Sequence, residues 1–173
     1  MKIWIENDLW ERICGYLDTA KERVVFLFVS TDADSGDWSP IDEWFLDVRS
    51  DYGVSEELHV ALSPEVLPKV FKRAHDLGAA VLEVHSHPWP GKNTSFSRFD
   101  LFQLHELIPQ VLWRLPHRPY FALVLGRESF DAIAWEAPNC PVHVEFVKVG
   151  HEVLYPTRTS LQVWEEIGLE PDK

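Results

Sequence analysis

The chain is short of positive charge. Lys and Arg number 16 against 28 Asp and Glu, a formal net charge of −12 over 173 residues. Phosphate binding needs clustered Lys and Arg, so a nucleic-acid partner is not expected. A basic or neutral partner suits this balance better. Cysteine is scarce too. Cys14 and Cys140 are the only two and lack CxxC spacing, so no disulfide framework is expected. Both read as buried thiols in a reducing compartment. No run approaches the ~18 apolar residues of a membrane span. The N-terminal MKIWIENDLWERI is too polar for a signal-peptide core and has no small-residue cleavage site. No repeat or low-complexity segment is visible. These absences predict a soluble, cytoplasmic protein with no membrane partner.

What is present is enough apolar sequence for a core, 46% of residues, in a length that fits one ordinary domain. Asp8 to Glu11 resembles a capping box. Leu9, Ile13 and Leu17 follow at helical spacing, so 8–20 reads as an amphipathic helix. The β-branched and aromatic run 23–30 reads as a buried strand, 31–40 as a polar loop, and 43–50 and 57–63 as strands. Ser63 and Pro64 predict a helix start, and the helix stops near Gly78. A strand over 79–87 comes next. Ser97 then opens a helix that bends at Pro109 and ends before Pro116. A hairpin over 119–136, a strand over 140–149 and a short helix over 159–167 complete the chain. The order predicts an α/β or α+β architecture with one mixed sheet flanked by helices.

The stretch VLEVHSHPWPGKNTSFSRFD, residues 81–100, carries the chemistry. Residues i and i+2 of a strand point to one face, so His85 and His87 present two imidazoles together. Pro88 stops the strand, a loop reverses the chain, and Ser97 and Asp100 arrive at a helix start. Two imidazole nitrogens and one carboxylate suit Zn²⁺ and leave a fourth position for water, as in catalytic zinc sites. Ser-x-x-Asp is equally the signature of an N-cap with an acidic third residue. Both roles stay open for Ser97 and Asp100 at this level.

In this combination the chain resembles the JAMM (JAB/MPN) zinc metalloprotease family. His85, Ser86, His87 and Pro88 match its His-Ser-His-Pro directly. Ser97 and Asp100 match its Ser-x-x-Asp, after a loop two residues longer than usual. Ser95 has the usual spacing, but Arg98 stands three residues beyond it and cannot bind a metal. The resemblance implies that His85, His87 and Asp100 hold one zinc ion. It also implies a catalytic glutamate where the first helix gives way to the first strand, and Glu22 occupies that place. Glu83 is its rival, because it shares the strand face of His85 and His87.

On this likeness Glu22 is the general base and then acid, and Ser97 donates a hydrogen bond to the developing oxyanion. The implied fold is a single α/β JAB/MPN-like, cytidine-deaminase-like domain over 1–173. The match is clearest over 8–136, with 140–173 as a C-terminal extension of the same domain. The implied activity is an isopeptidase or peptidase that cleaves after the C-terminal tail of ubiquitin or a ubiquitin-like protein, by deconjugation or precursor processing. The compact length resembles stand-alone prokaryotic members, some of which work beside E1- and E2-like partners in conjugation systems linked to phage defence. A sulfur-carrier processing protease and a non-catalytic scaffold of the same fold are the alternatives. In the loop 88–96, Trp89 and Phe96 are candidates either for substrate contact or for packing.

Overall fold

The computed structural model describes residues 1–169 apart from 33, 57, 58 and 89, and leaves the side chains of 54–60 undescribed. Its frame is a nine-stranded mixed sheet with helices on both faces. The strands are β1 (Lys2–Ile5), β2 (Val24–Thr31), β3 (Trp38–Phe45), β6 (Ala80–Ser86), β7 (Tyr120–Leu125), β8 (Phe130–Trp135), β9 (Pro141–His143), β10 (Phe146–Val149) and β11 (Glu152–Leu154). Their order is β11-β10-β1-β3-β2-β6-β7-β8-β9. Strands β4 (Tyr52–Glu56) and β5 (His59–Leu62) form a separate antiparallel hairpin. The helices are α1 (Asn7–Leu17), α2 (Val66–Leu77), α3 (Arg98–Arg114) and α4 (Ser160–Glu166). No helix among the described residues is long and apolar enough to cross a membrane.

Strand parity separates two cores. From β2, Val25, Leu27 and Val29 face one side with Ala80, Leu82 and Val84 of β6, and α1 covers them with Leu9, Ile13 and Leu17. Val24, Phe26 and Phe28 face the other side with Val81, beneath α2, α3 and α4. Both faces of the central strands are therefore apolar, which is why 24–29 reads as an unbroken hydrophobic run. His85 shares the parity of Val81 and so belongs to the α2–α3 side.

Several predicted boundaries shift. The helix α1 is capped by Glu6 without a side-chain bond, so Asp8 is a first-turn acid rather than a cap. Ser63 and Pro64 form a turn, with the Val66 N–H bonded to the Ser63 carbonyl, and α2 starts at Val66. Gly78 closes α2 at φ 66°, the left-handed conformation that glycine adopts without penalty. Strand β3 begins at Trp38, inside the predicted loop 31–40, and residues 46–51 lie outside it. The predicted 57–63 strand is the second arm of the β4–β5 hairpin, with 57 and 58 outside the described residues. Helix α3 continues through Pro109. Cys14 is half-buried and Cys140 exposed, so the expectation of two buried thiols fails; both are free.

Candidate metal centre

The site is assembled where β2 and β6 end side by side. The two strands pair antiparallel, with Val24 opposite His85 and Phe26 opposite Glu83. Pairing continues one step beyond the start of β2, where the Ser86 N–H bonds the Arg23 carbonyl at 3.0 Å. The Ser86 hydroxyl accepts the Arg23 N–H at 3.0 Å on the return. In this register Glu22 stands across from His87. The parallel neighbour β7 holds the other side: the His87 N–H bonds the Leu125 carbonyl at 2.9 Å. His87 thus keeps strand geometry beyond the regular strand, despite Pro88.

The third group comes from α3. Ser97 is its N-cap. The Ser97 hydroxyl accepts the Asp100 N–H at 3.1 Å, and the Ser97 N–H donates to Asp100 Oδ2 at 2.7 Å. This reciprocal capping box locks the Asp100 rotamer. The same Oδ2 lies 3.3 Å from His87 Nε2 and 3.8 Å from His85 Nε2. One donor atom each from His85, His87 and Asp100 falls within 4.8 Å of the others, and this cluster is placed to hold a metal ion.

The donor chemistry fits that reading. His85 is 6% exposed and His87 4%. Both ring nitrogens of His85 are buried without a hydrogen-bond partner, a costly state for a polar group. A cation between His85 Nε2, His87 Nε2 and Asp100 would satisfy the Nε2 of that ring.

Glu22 joins this cluster. It is 5% exposed, and its Oε1 lies 3.8 Å from His87 Nε2. Burial pushes its carboxyl up to about 7; the positive His85 offsets part of this and the negative Asp100 adds to it. For His85, burial opposes the charged ring, but the nearby carboxylates of Asp100 and Glu83 outweigh it and raise the group to about 10. Burial holds His87 below the usual imidazole range. Burial works against the Asp100 carboxylate, yet the two histidines keep its pKa well below the usual range.

The predicted rival base goes elsewhere. Glu83 Oε1 is 3.6 Å from His85 Nδ1, the ring nitrogen turned away from Asp100. The loop residue Phe96 is 1% exposed and packs edge-on against His85, with ring centroids 5.2 Å apart. It is a packing residue rather than a surface contact. Trp89 lies outside the described residues.

Glu22, Glu83, His85 and Asp100 line a cleft of about 410 Å³. Its walls include Ala61, Leu62 and Leu67 on one side and Leu104, Glu106 and Leu107 of α3 on the other. Ala61 and Leu62 come from the β4–β5 hairpin, a wall that an ordinary sheet strand over 57–63 would not provide. The hairpin is tied to the site by Tyr52, whose hydroxyl accepts the Val24 N–H at 3.0 Å. Four carboxylates line the cleft, Glu22, Glu83, Asp100 and Glu106, and no Lys or Arg is among its described residues.

The C-terminal segment supports the loop between the histidines and α3. The Thr157 hydroxyl donates to the Thr94 carbonyl at 2.6 Å, and the Ser160 hydroxyl accepts the Phe96 N–H at 3.0 Å. From the other side Thr94 Oγ1 bonds the Ser129 hydroxyl at 2.7 Å. A Cβ on Gly126 would stand 2.1 Å from Thr94 Oγ1, so this approach requires glycine.

No family model and no curated protein sequence matches the chain. Among solved structures, the solution structure of a structural-genomics target from Desulfitobacterium hafniense is similar, with a TM-score of 0.53 at 14% identity, over 87% of this chain and 94% of its own. At that identity the likeness is one of fold alone.

Proposed function

We propose that the chain is a zinc-dependent isopeptidase or peptidase that cleaves after the C-terminal tail of a ubiquitin or ubiquitin-like protein. The observation that carries this reading is the convergence of Glu22, from the segment leading into β2, on the His85–His87–Asp100 cluster. Two imidazoles and a carboxylate with a fourth position free are the ligand set of a catalytic zinc. A zinc ion bound there would polarise the scissile carbonyl and acidify a water molecule.

The chain's own residues supply the rest. Glu22, buried beside the cluster with its Oε1 3.8 Å from His87 Nε2, takes a proton from water and hands it to the leaving amine, as a general base and then acid. The Ser97 hydroxyl accepts the Asp100 N–H and keeps its own proton for donation to the oxyanion. The aliphatic cleft walls suit an extended peptide tail. A cleft with four carboxylates and no described Lys or Arg disfavours phosphate esters, which leave a phosphate dianion to be neutralised. The acidic chain favours a basic or neutral partner such as a ubiquitin-like tail.

The test is cleavage of a panel of linear and isopeptide-linked ubiquitin-like fusions, with and without a chelator. Cleavage is expected to stop on chelation, and Glu22→Gln is expected to stop it while keeping zinc. Cleavage that survives chelation, or hydrolysis of phosphate esters in place of fusions, overturns the proposal. Stoichiometric zinc without cleavage of any fusion points to a non-catalytic scaffold.

A further inference from the structure

We infer that Glu83 and Tyr120 form a positioning pair that fixes the tautomer of His85, so that its Nε2 is the metal-binding nitrogen. The inference rests on the zinc reading above and adds residues that no ligand motif contains.

The sequence puts a carboxylate where one is unexpected. Glu83 lies mid-strand in β6, between Phe26 on β2 and Ala122 on β7. A charged side chain in such a place needs a partner. Its Oε2 accepts a hydrogen bond from the Tyr120 hydroxyl at 2.5 Å. Tyr120 is 0% exposed, and the small Ala122 beside Glu83 leaves room for the phenol to reach. The other oxygen, Oε1, faces His85 Nδ1 at 3.6 Å. That nitrogen is buried and makes no hydrogen bond, so the Glu83 carboxylate is the acceptor placed to take its proton. A structural Tyr–Glu pair would not need to aim its second oxygen at a ligand ring.

The other two ligands already have such support. Asp100 receives the Ser97 N–H, and His87 has a hydrogen bond with the Ser95 backbone. Metal-binding histidines generally donate their second N–H to a carboxylate or carbonyl, which sets the tautomer and the ring angle. With Glu83 in that role, all three groups are oriented before any ion arrives. Glu83 is then a positioning residue, and the proton chemistry stays with Glu22.

The test uses the full chain and zinc itself, titrated in competition with a chromophoric chelator, together with ¹⁵N NMR of the His85 ring. In the zinc-loaded wild type, Nδ1 is expected to carry the proton and Nε2 the metal. Glu83→Ala is expected to weaken zinc binding by about 10- to 100-fold and to lose the sharp Nδ1–H signal. Glu83→Gln keeps an acceptor and is expected to fall between, with Tyr120→Phe weakening binding by less. These two variants carry the test alone if Glu83→Ala does not fold, as judged by circular dichroism. Zinc affinity within about twofold of wild type and an unchanged His85 signal in the folded variants overturn this inference and leave the zinc reading intact. A wild type that binds no zinc overturns both.

Discussion

Glu22 and His87 face each other across the β2–β6 pair, with Glu22 Oε1 3.8 Å from His87 Nε2. They are far apart in sequence and flank the paired ends of β2 and β6. Only the antiparallel register brings them together, and the Arg23–Ser86 bonds fix that register at its last step. The central Ser of His-Ser-His-Pro therefore has a structural role, because it bonds the segment that delivers Glu22.

This placement gives the metal-free protein a pH signature. The Glu22 pKa is raised from 4.5 to about 7 in the folded state. Between those values the folded chain binds more protons than the unfolded one, so stability falls as pH rises through the window. The full penalty, present above the folded value, is on the order of 3 kcal/mol. Glu22→Gln removes it. In chelator-treated protein the variant is expected to be more stable than wild type at pH of about 8 and to lose that advantage by pH of about 4. Urea unfolding at both pH values checks this, and equal differences at the two would sink the burial argument.

Metal binding itself should read out as stability. A ligand that binds only the folded state at about 1,000 times its Kd adds roughly 4 kcal/mol. Zinc is expected to raise the wild-type Tm, and a chelator to reverse it. His85→Ala, His87→Ala and Asp100→Ala are expected to lose most of that response, because each removes one of the three converging donors. Metal analysis of the purified variants gives an independent check. A Tm response surviving in all three would place the ion elsewhere.

The capping role of Ser97 and its proposed oxyanion role can be separated by substitution. As N-cap it bonds the Asp100 N–H, and Ser97→Ala is expected to cost about 1 kcal/mol. The Ser97 backbone N–H still holds Asp100 Oδ2 in that variant, so zinc should stay. Turnover is expected to drop by about 100- to 1,000-fold from loss of the oxyanion donor. Ser97→Thr keeps a hydroxyl and should restore most of both. Turnover in Ser97→Ala close to wild type would limit the residue to capping.

The chemistry of this site is legible in the sequence where it is local. The period of two in a strand puts His85 and His87 on one face, and the three-residue step of a helix start puts Ser97 against Asp100. Glu22 is reachable only by resemblance, because its partner is set by a register that 23–30 cannot encode alone. Glu83 reads as a rival base because parity shows its face but not its neighbour. Its Tyr120 partner depends on the parallel β6–β7 pairing. Strand β1 escapes a sequence reading for the same reason: its four residues pair with β10, Lys2 opposite Phe146. So does β11, whose three residues pair with β10. Such short strands owe their existence to distant partners rather than to a local pattern.

The segment 140–169 has a physical part in the site through Asp131. This residue is 0% exposed and accepts three backbone N–H groups, Ala132 at 2.9 Å, Arg158 at 3.0 Å and Ser160 at 2.7 Å. It thereby holds Arg158 in a left-handed turn, at φ 61°. The turn presents the Ser160 hydroxyl to the Phe96 N–H, and Phe96 in turn packs on the His85 ring. Ser160→Ala leaves the Phe96 N–H buried without a partner, which costs about 1–3 kcal/mol. Asp131→Asn puts an amide N–H₂ against backbone donors and is expected to cost more. If the chain of contacts transmits to the metal centre, Ser160→Ala should weaken zinc binding as well as lower Tm. A core substitution of equal cost on the α1 face, such as Ile13→Val, should lower Tm and leave zinc affinity alone. Zinc titration and thermal melts of the two variants side by side decide it; equal zinc affinities would confine the C-terminal segment to stability.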